Sequence, residues 1–173
     1  PAKDFTSLRE NLNGRYSMHA KDNDHLNPLD GVEVFFHIQH EQKGLGHAIM
    51  MAKEAIVGPF LVLLGDNILT SNHASLTEFQ PSNVSKKLVQ LFEKHGQPSA
   101  SVYNVGTVRV SNYGIVSMNE GKIVSIVEKP SKEETPSTYA LCGRYVFAKD
   151  TFELLDHYSV EEYGELQSIA LMK

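Results

Sequence analysis

The stretch Phe60-Leu61-Val62-Leu63-Leu64-Gly65-Asp66-Asn67 decides how this chain is read. Five apolar residues in unbroken succession are the pattern of a β-strand buried on both faces. The strand ends at Gly65 and delivers Asp66 at its carboxyl end. In open α/β sheets, ligands bind outside the carboxyl ends of the strands. Gly65 lets a ligand approach the backbone closely. Asp66 is placed to hold a hard cation such as Mg²⁺ against phosphates. A plain Asx turn at Asp66-Asn67 accounts for the same residues without a ligand.

Outward from that strand the elements alternate. Upstream, residues 32–39 are rich in β-branched and aromatic side chains and predict a strand. Gly44-Leu45-Gly46 is a glycine-rich turn, and Ala48, Met51, Ala52 and Ala55 carry helical spacing over 47–56. Residues 4–12 predict a short helix, and the polar stretch 17–31 a long loop. Downstream, Ser82 or Asn83 can cap a helix whose Val84, Leu88, Leu91, Phe92 and His95 share one face before Gly96 stops it. Residues 100–105 predict a strand. Residues 113–118 and 122–128, flanking Asn119-Glu120-Gly121, predict a hairpin. A strand over 141–147 and a short helix over 151–158, with Asp150 as its candidate cap, complete the order. Such alternation predicts an α/β fold: a mainly parallel sheet covered by helices, with a β-hairpin insertion. At 173 residues the chain is long enough for one core, and residues 1–173 are expected to form a single domain.

Composition removes several classes. The formal net charge is −5, with 41% hydrophobic and 21% charged residues, ordinary for a globular domain. The acidic balance argues against a nucleic-acid partner. The longest apolar run, 60–64, is far below the ~20 residues of a membrane span, so no membrane partner is expected. No basic-then-apolar segment opens the chain as a signal peptide would. One cysteine, Cys142, cannot form an internal disulfide or a cysteine zinc site, and it points to a cytoplasmic setting.

Two further segments can carry chemistry. In 38–48 a strand gives way to a glycine-rich loop and a helix start, where unpaired N–H groups can meet anions or polar heterocycles. Gln39 offers both a donor and an acceptor, which suits the edge of a pyrimidine. A tight turn that needs glycine for geometry reads equally well. In Glu128-Lys129-Pro130, a carboxylate can accept sugar hydroxyls and a lysine can neutralise a phosphate. A solvated strand end is the plain alternative. Adjacent side chains on a regular strand point to opposite faces, so both can serve one ligand only where the strand twists or ends. Pro130 makes an ending reasonable. His37 and His40 fall on opposite faces of a strand and do not suggest a metal site. Cys142 reads as a small core residue.

Six segments share one order and spacing with a known family: Gln39 with Gly44-Leu45-Gly46-His47-Ala48; Leu63-Leu64-Gly65-Asp66-Asn67; Tyr113-Gly114-Ile115-Val116; Val127-Glu128-Lys129-Pro130; Cys142-Gly143-Arg144-Tyr145-Val146-Phe147; and Gly164-Glu165-Leu166-Gln167. The chain resembles the sugar-1-phosphate nucleotidyltransferases, most nearly the bacterial UTP–glucose-1-phosphate uridylyltransferase type. Glucose-1-phosphate thymidylyltransferases are near relatives. The resemblance implies a Rossmann-like nucleotidyltransferase fold. It also implies transfer of a uridylyl group from UTP to glucose 1-phosphate, giving UDP-glucose and pyrophosphate with Mg²⁺ as cofactor. By motif, Gln39 and Gly44 would read the uracil, and Asp66 would be the metal ligand. Gly114 and Glu128 would hold glucose hydroxyls, Lys129 would contact phosphates, and Gly143 would line the sugar pocket. Asp66 and Lys129 are thus the expected catalytic pair. A homo-oligomer is left open, because family members are usually dimers or tetramers.

The departures are equally specific. The family's opening strand, with its arginine-containing glycine-rich loop that cradles the triphosphate, has no counterpart here. A second metal-binding aspartate, which the family places after the Gly-Glu-Leu-Gln region, is also missing. Ser168-Ile169-Ala170 stands where the family usually has Leu-Thr-Asp. The chain therefore reads as a central fragment of the fold, with weak activity or none on its own. A non-catalytic nucleotide-sugar-binding relative, or a partner subunit, is the competing expectation.

Overall fold

The computed structural model describes residues 35, 37–41, 43–73 and 79–156. The chain divides into two compact units, Pro1–Glu41 and Gln42–Lys173. In the first unit, residues 35 and 37–39 carry no strand, against the expectation for 32–39. The remainder of that segment, the helix at 4–12, the loop at 17–31 and the Gly-Glu-Leu-Gln motif at 164–167 lie outside the described residues.

All regular elements among the described residues lie in the second unit. Helix α1 (Gly44–Met50) is followed by a 3₁₀ turn, Lys53–Ala55. The helix starts three residues before the expected 47, and its end tightens rather than continuing to 56. Met51 N–H donates to Ala48 O and Ala52 N–H to Ile49 O, the i→i+3 pattern of a 3₁₀ ending. Strand β1 (Phe60–Leu63) follows, then a small hairpin, β2 (Thr70–His73) with β3 (Phe79–Pro81). The polar sequence of β2 gave no strand signal. Helix α2 (Val84–His95) starts where Ser82 Oγ accepts the Val84 N–H at 3.1 Å. It stops at Gly96, whose left-handed φ of 63° lets its N–H reach Phe92 O at 2.7 Å. Strands β4 (Ser99–Asn104), β5 (Gly114–Asn119), β6 (Lys122–Glu128) and β7 (Tyr139–Phe147) and helix α3 (Thr151–Asp156) complete the unit.

The expected hairpin is present. Glu120 and Gly121 have φ of 49° and 77°, the two positive values that a tight hairpin turn requires. The sheet pairing is where the structure differs from the mainly parallel expectation. Among the described residues every ladder is antiparallel. The physical reason is the position of β7. Strands β1, β4 and β5 all run antiparallel to β7, and so share one direction, as the alternation of strands and crossovers implies. Strand β7 returns between β1 and β4, and it takes up the edges that a parallel pair would have used.

Burial of β1 is also one-sided. Phe60, Val62 and Leu64 are half-buried, whereas Leu61 and Leu63 are exposed. The first three pack into the main core of Ile49, Tyr145, Phe147, Phe152 and Leu155. On the other side, Leu61 borders a shallow groove with Val89 and Glu93 of α2. Of the α2 residues expected to share the buried face, Leu88 is buried and Val84 and Phe92 are half-buried. Leu91 and His95 are exposed.

Phe147 is fully buried at the centre of this core, with ring centroids 5.8 Å from both Phe60 and Tyr145. Its removal leaves a cavity that the strands on either side cannot close. Phe147→Ala is expected to lower stability by about 3–5 kcal/mol, read from urea denaturation midpoints. A loss under ~1 kcal/mol would show that this cluster is not the structural centre.

Candidate active site on one face of β7

The site is built along one edge of β7. There β1 pairs with residues 144–147 and β5 with residues 139–140, while β4 runs along the opposite edge. Continuing both registers sets Leu64 opposite Gly143 and Gly114 opposite Leu141. Two residues of strand, roughly 7 Å, separate these positions. The end of β1 and the start of β5 thus approach each other over the middle of β7.

Both glycines permit a close approach of neighbouring segments. A Cβ on Gly143 would lie 3.0 Å from Leu64 Cβ and 3.0 Å from Asn67 Nδ2. A Cβ on Gly114 would lie 3.0 Å from Glu128 Oε2 and 3.7 Å from Leu141 Cδ1. Leu141 and Leu64 both pack against the main core cluster, as does Leu45 of α1, next to Gly44. Gly44, Asp66, Gly114, Glu128, Lys129 and Gly143 are therefore carried by segments anchored on this side of the sheet or directly continuous with it. Gln39 belongs to the first unit, where it is half-buried.

Asp66 sits at the exposed tip of the turn 64–67, closed by the Asn67 N–H donating to Leu64 O at 3.2 Å. The Asn67 amide donates to Asp66 Oδ1 at 2.7 Å and orients the carboxylate. The Leu64 N–H donates to Gly143 O at 3.0 Å, extending the ladder one residue past β1. Arg144, to which sequence reasoning assigned no role, donates to the carbonyls of Leu64, Gly143 and Asn67. Its planar guanidinium is what the residue type offered as a signal.

The objection that Glu128 and Lys129 point to opposite faces is removed by the backbone. Strand β6 ends at Glu128, and Lys129 has a φ of 46°, in the left-handed region. This turns the lysine back, and its Nζ lies 3.7 Å from Glu128 Oε1. The Lys129 N–H donates to Tyr113 O at 3.0 Å and holds the turn in place. Both side chains keep substantial exposure, 64% for Lys129 and 38% for Glu128. Such a pair adds little to stability and leaves both groups open to a ligand. A positive φ at a residue other than glycine or asparagine is strained, and strain of this kind clusters at functional sites.

Behind Gly114, Tyr113 meets Tyr103 edge to face, with centroids 5.9 Å apart. Partial burial and the hydrogen bond with Tyr113 push the Tyr103 phenol from 10.0 up to about 12. Cys142 is buried, its Sγ 2.7 Å from Ser101 Oγ, as a small core residue would be. Among the described residues, no three His, Cys, Asp or Glu side chains come together as a metal cluster. No helix there is long and apolar enough to cross a membrane.

Two outcomes follow from this geometry. Gly143 has a φ of 65° and no room for a Cβ, so Gly143→Ala is expected to cost at least about 1–2 kcal/mol in denaturant melts. Wild-type stability in that variant would contradict the packing described. A raised phenol pKa means the folded chain favours neutral Tyr103. Its stabilising contribution is complete below pH 10 and is lost as pH rises towards about 12. Alkaline titration of tyrosinate absorbance should show one late-titrating phenol that disappears in Tyr103→Phe.

The family model described as Nucleotidyl transferase matches residues 6–171. A UTP–glucose-1-phosphate uridylyltransferase of Staphylococcus saprophyticus is 35% identical over 140 residues, covering 78% of this chain and 46% of its own length. One from Streptococcus pyogenes is 31% identical over 170 residues, covering 91% of this chain and 54% of its own. Among solved structures, a UDP-glucose pyrophosphorylase complexed with UDP-glucose aligns with a TM-score of 0.72 at 31% identity, over 94% of this chain and 64% of that one. A UTP-bound enzyme of the same type from Acinetobacter baumannii aligns with a TM-score of 0.68 at 25% identity, over 95% of this chain and 55% of its own. The chain spans about half the length of the curated relatives it matches. It belongs to the nucleotidyl transferase family and has that family's mixed α/β fold.

Proposed function

We propose that this member of the nucleotidyl transferase family carries the sugar-nucleotide half of a uridylyltransferase site. The reaction joins UTP and glucose 1-phosphate. A phosphate oxygen of the sugar phosphate attacks the α-phosphorus of UTP, the bond to the β-phosphate oxygen breaks, and pyrophosphate leaves with that electron pair. Positioning and charge stabilisation drive such a transfer, so no covalent nucleophile on the protein is needed.

The observations that carry the reading are the Asp66 turn packed against Gly143 and, at a β7 position two residues away, Gly114 beside Glu128 of the Glu128–Lys129 pair. In this reading Glu128 accepts hydroxyls of the glucose, over the space that Gly114 leaves open. Lys129 reaches the phosphates. Gly44 reads the uracil, and Gln39 offers the donor and acceptor that suit a pyrimidine edge. Asp66 fits a hard cation, being an exposed oxygen donor whose carboxylate is already oriented by Asn67. Mg²⁺ is commonly held by one or two carboxylates together with substrate phosphates, which it would screen during the transfer. The cytoplasmic setting belongs to the same proposal and is supported by the free, buried Cys142.

A thermal melt of the chain with and without UDP-glucose and Mg²⁺ tests the reading. Ligand at 100 times its dissociation constant adds about 2.7 kcal/mol, which at this chain length raises Tm by about 5–11 °C. Asp66→Ala and Lys129→Ala should each remove most of the shift. A cooperative melt that ignores UDP-glucose in the unmodified chain would overturn the proposal.

A further inference from the structure

The tip of the Asp66 turn is exposed, yet both ends of the turn are held from below by one side chain. Arg144 lies opposite Leu63 in the β1–β7 ladder and is half-buried under the turn. Its Nη1 donates to Leu64 O at 3.1 Å and to Gly143 O at 2.9 Å, and its Nη2 donates to Asn67 O. Leu64 and Asn67 are the first and last residues of the turn, so one rigid fork grips both ends of it. Leu64 O also accepts the Asn67 N–H, so the closure of the turn and its attachment to β7 share an atom. All three acceptors are backbone carbonyls, which leaves the Asp66 carboxylate to Asn67 and to a ligand.

We infer that Arg144 is a positioning residue: it sets the orientation of the Asp66 carboxylate by fixing both ends of the turn 64–67, without itself touching nucleotide or cation. The inference rests on the reading of Asp66 as the residue that meets a divalent cation. A lysine cannot substitute fully. Its single ammonium lacks the planar fork that spans carbonyls at both ends of the turn. Loss of the fork frees the tip while the β1–β7 ladder and the Leu64–Gly143 hydrogen bond keep the strand paired. The effect should therefore fall on cation-dependent binding, not on the pocket as a whole.

The test is UDP-glucose affinity by titration calorimetry, measured once with saturating Mg²⁺ and once with EDTA. The ratio of the two affinities is the readout. Arg144→Ala, checked by a cooperative melt, should bind UDP-glucose in EDTA within about twofold of the unmodified chain. It should lose about tenfold of the Mg²⁺ ratio, the equivalent of one charge-assisted hydrogen bond. Arg144→Lys should recover part of that ratio, and Asp66→Asn should abolish it. An unchanged ratio in folded Arg144→Ala overturns the inference. So does an equal loss in EDTA and in Mg²⁺, which would make Arg144 a general support of the fold. If Arg144→Ala does not fold, Arg144→Lys decides between the same outcomes. An unmodified chain without a Mg²⁺-dependent ratio overturns the reading of Asp66 itself, and the role of Arg144 with it, before any variant is made.

Discussion

Strand β7 must satisfy its backbone hydrogen bonds on two edges, and this constraint organises the unit. Nine residues long, it takes β4 along one edge and divides the other between β1 and β5. Tyr145 and Phe147 of this strand are nearly inaccessible because Ile49, Phe152 and Leu155 cover the face they project from. The division of the second edge has a further consequence. Where β1 leaves and β5 begins, the ladder is interrupted, and the middle of β7 faces two strand ends instead of one continuous neighbour. Strand ends are where the backbone can turn and where polar side chains can stand without being enclosed. The candidate site lies at that interruption, where the end of β1 carries the Asp66 turn against Gly143 and the start of β5 sets Gly114 opposite Leu141.

The two glycines serve this arrangement in different ways. At Gly143 the neighbours of a Cβ would be Leu64 and Asn67, which belong to the fold itself. Close packing of the Asp66 turn onto β7 therefore suffices to require glycine there, with or without a ligand. At Gly114 the nearest neighbour would be the flexible end of Glu128, which could swing aside. Here the absence of a side chain leaves room in front of a carboxylate. The first glycine fixes the position of the turn, and the second keeps a polar group accessible.

Much of this was legible in the sequence, and what was not has identifiable causes. The unbroken apolar run 60–64 pointed to β1 and to Asp66 at its end, because local burial is written in local composition. Gly121 marked the hairpin, because its turn demands a residue that tolerates positive φ. The antiparallel nesting of β7 was not legible. It pairs residues about 80 positions apart, such as Leu63 with Arg144, and no local pattern encodes that choice. The exposure of Leu61 and Leu63 was missed for the same reason, since a run of apolar residues does not say which face a neighbouring layer will cover. The left-handed backbone at Lys129 was invisible as well, because lysine carries no propensity for it. The polar β2 strand left no trace because Thr70-Ser71-Asn72-His73 has no apolar alternation.

The backbone at Lys129 shows how stability and function are divided in this molecule. A lysine at a φ of 46° costs roughly 1–2 kcal/mol relative to an ordinary strand conformation. The ion pair it forms with Glu128 is exposed, and pairs of that kind return little. The strain is therefore offset elsewhere, by the Lys129 N–H bond to Tyr113 and by the buried Pro130 that follows. Those are backbone and packing contacts, and they would hold equally well if residue 129 were glycine, which adopts this φ freely. A glycine would relieve the strain and lose only the ammonium group. What the lysine adds at this position is thus a positive charge, brought to the same side of the strand end as a carboxylate and left exposed to solvent. In physical terms, that is an arrangement suited to a ligand carrying both hydroxyls and phosphates.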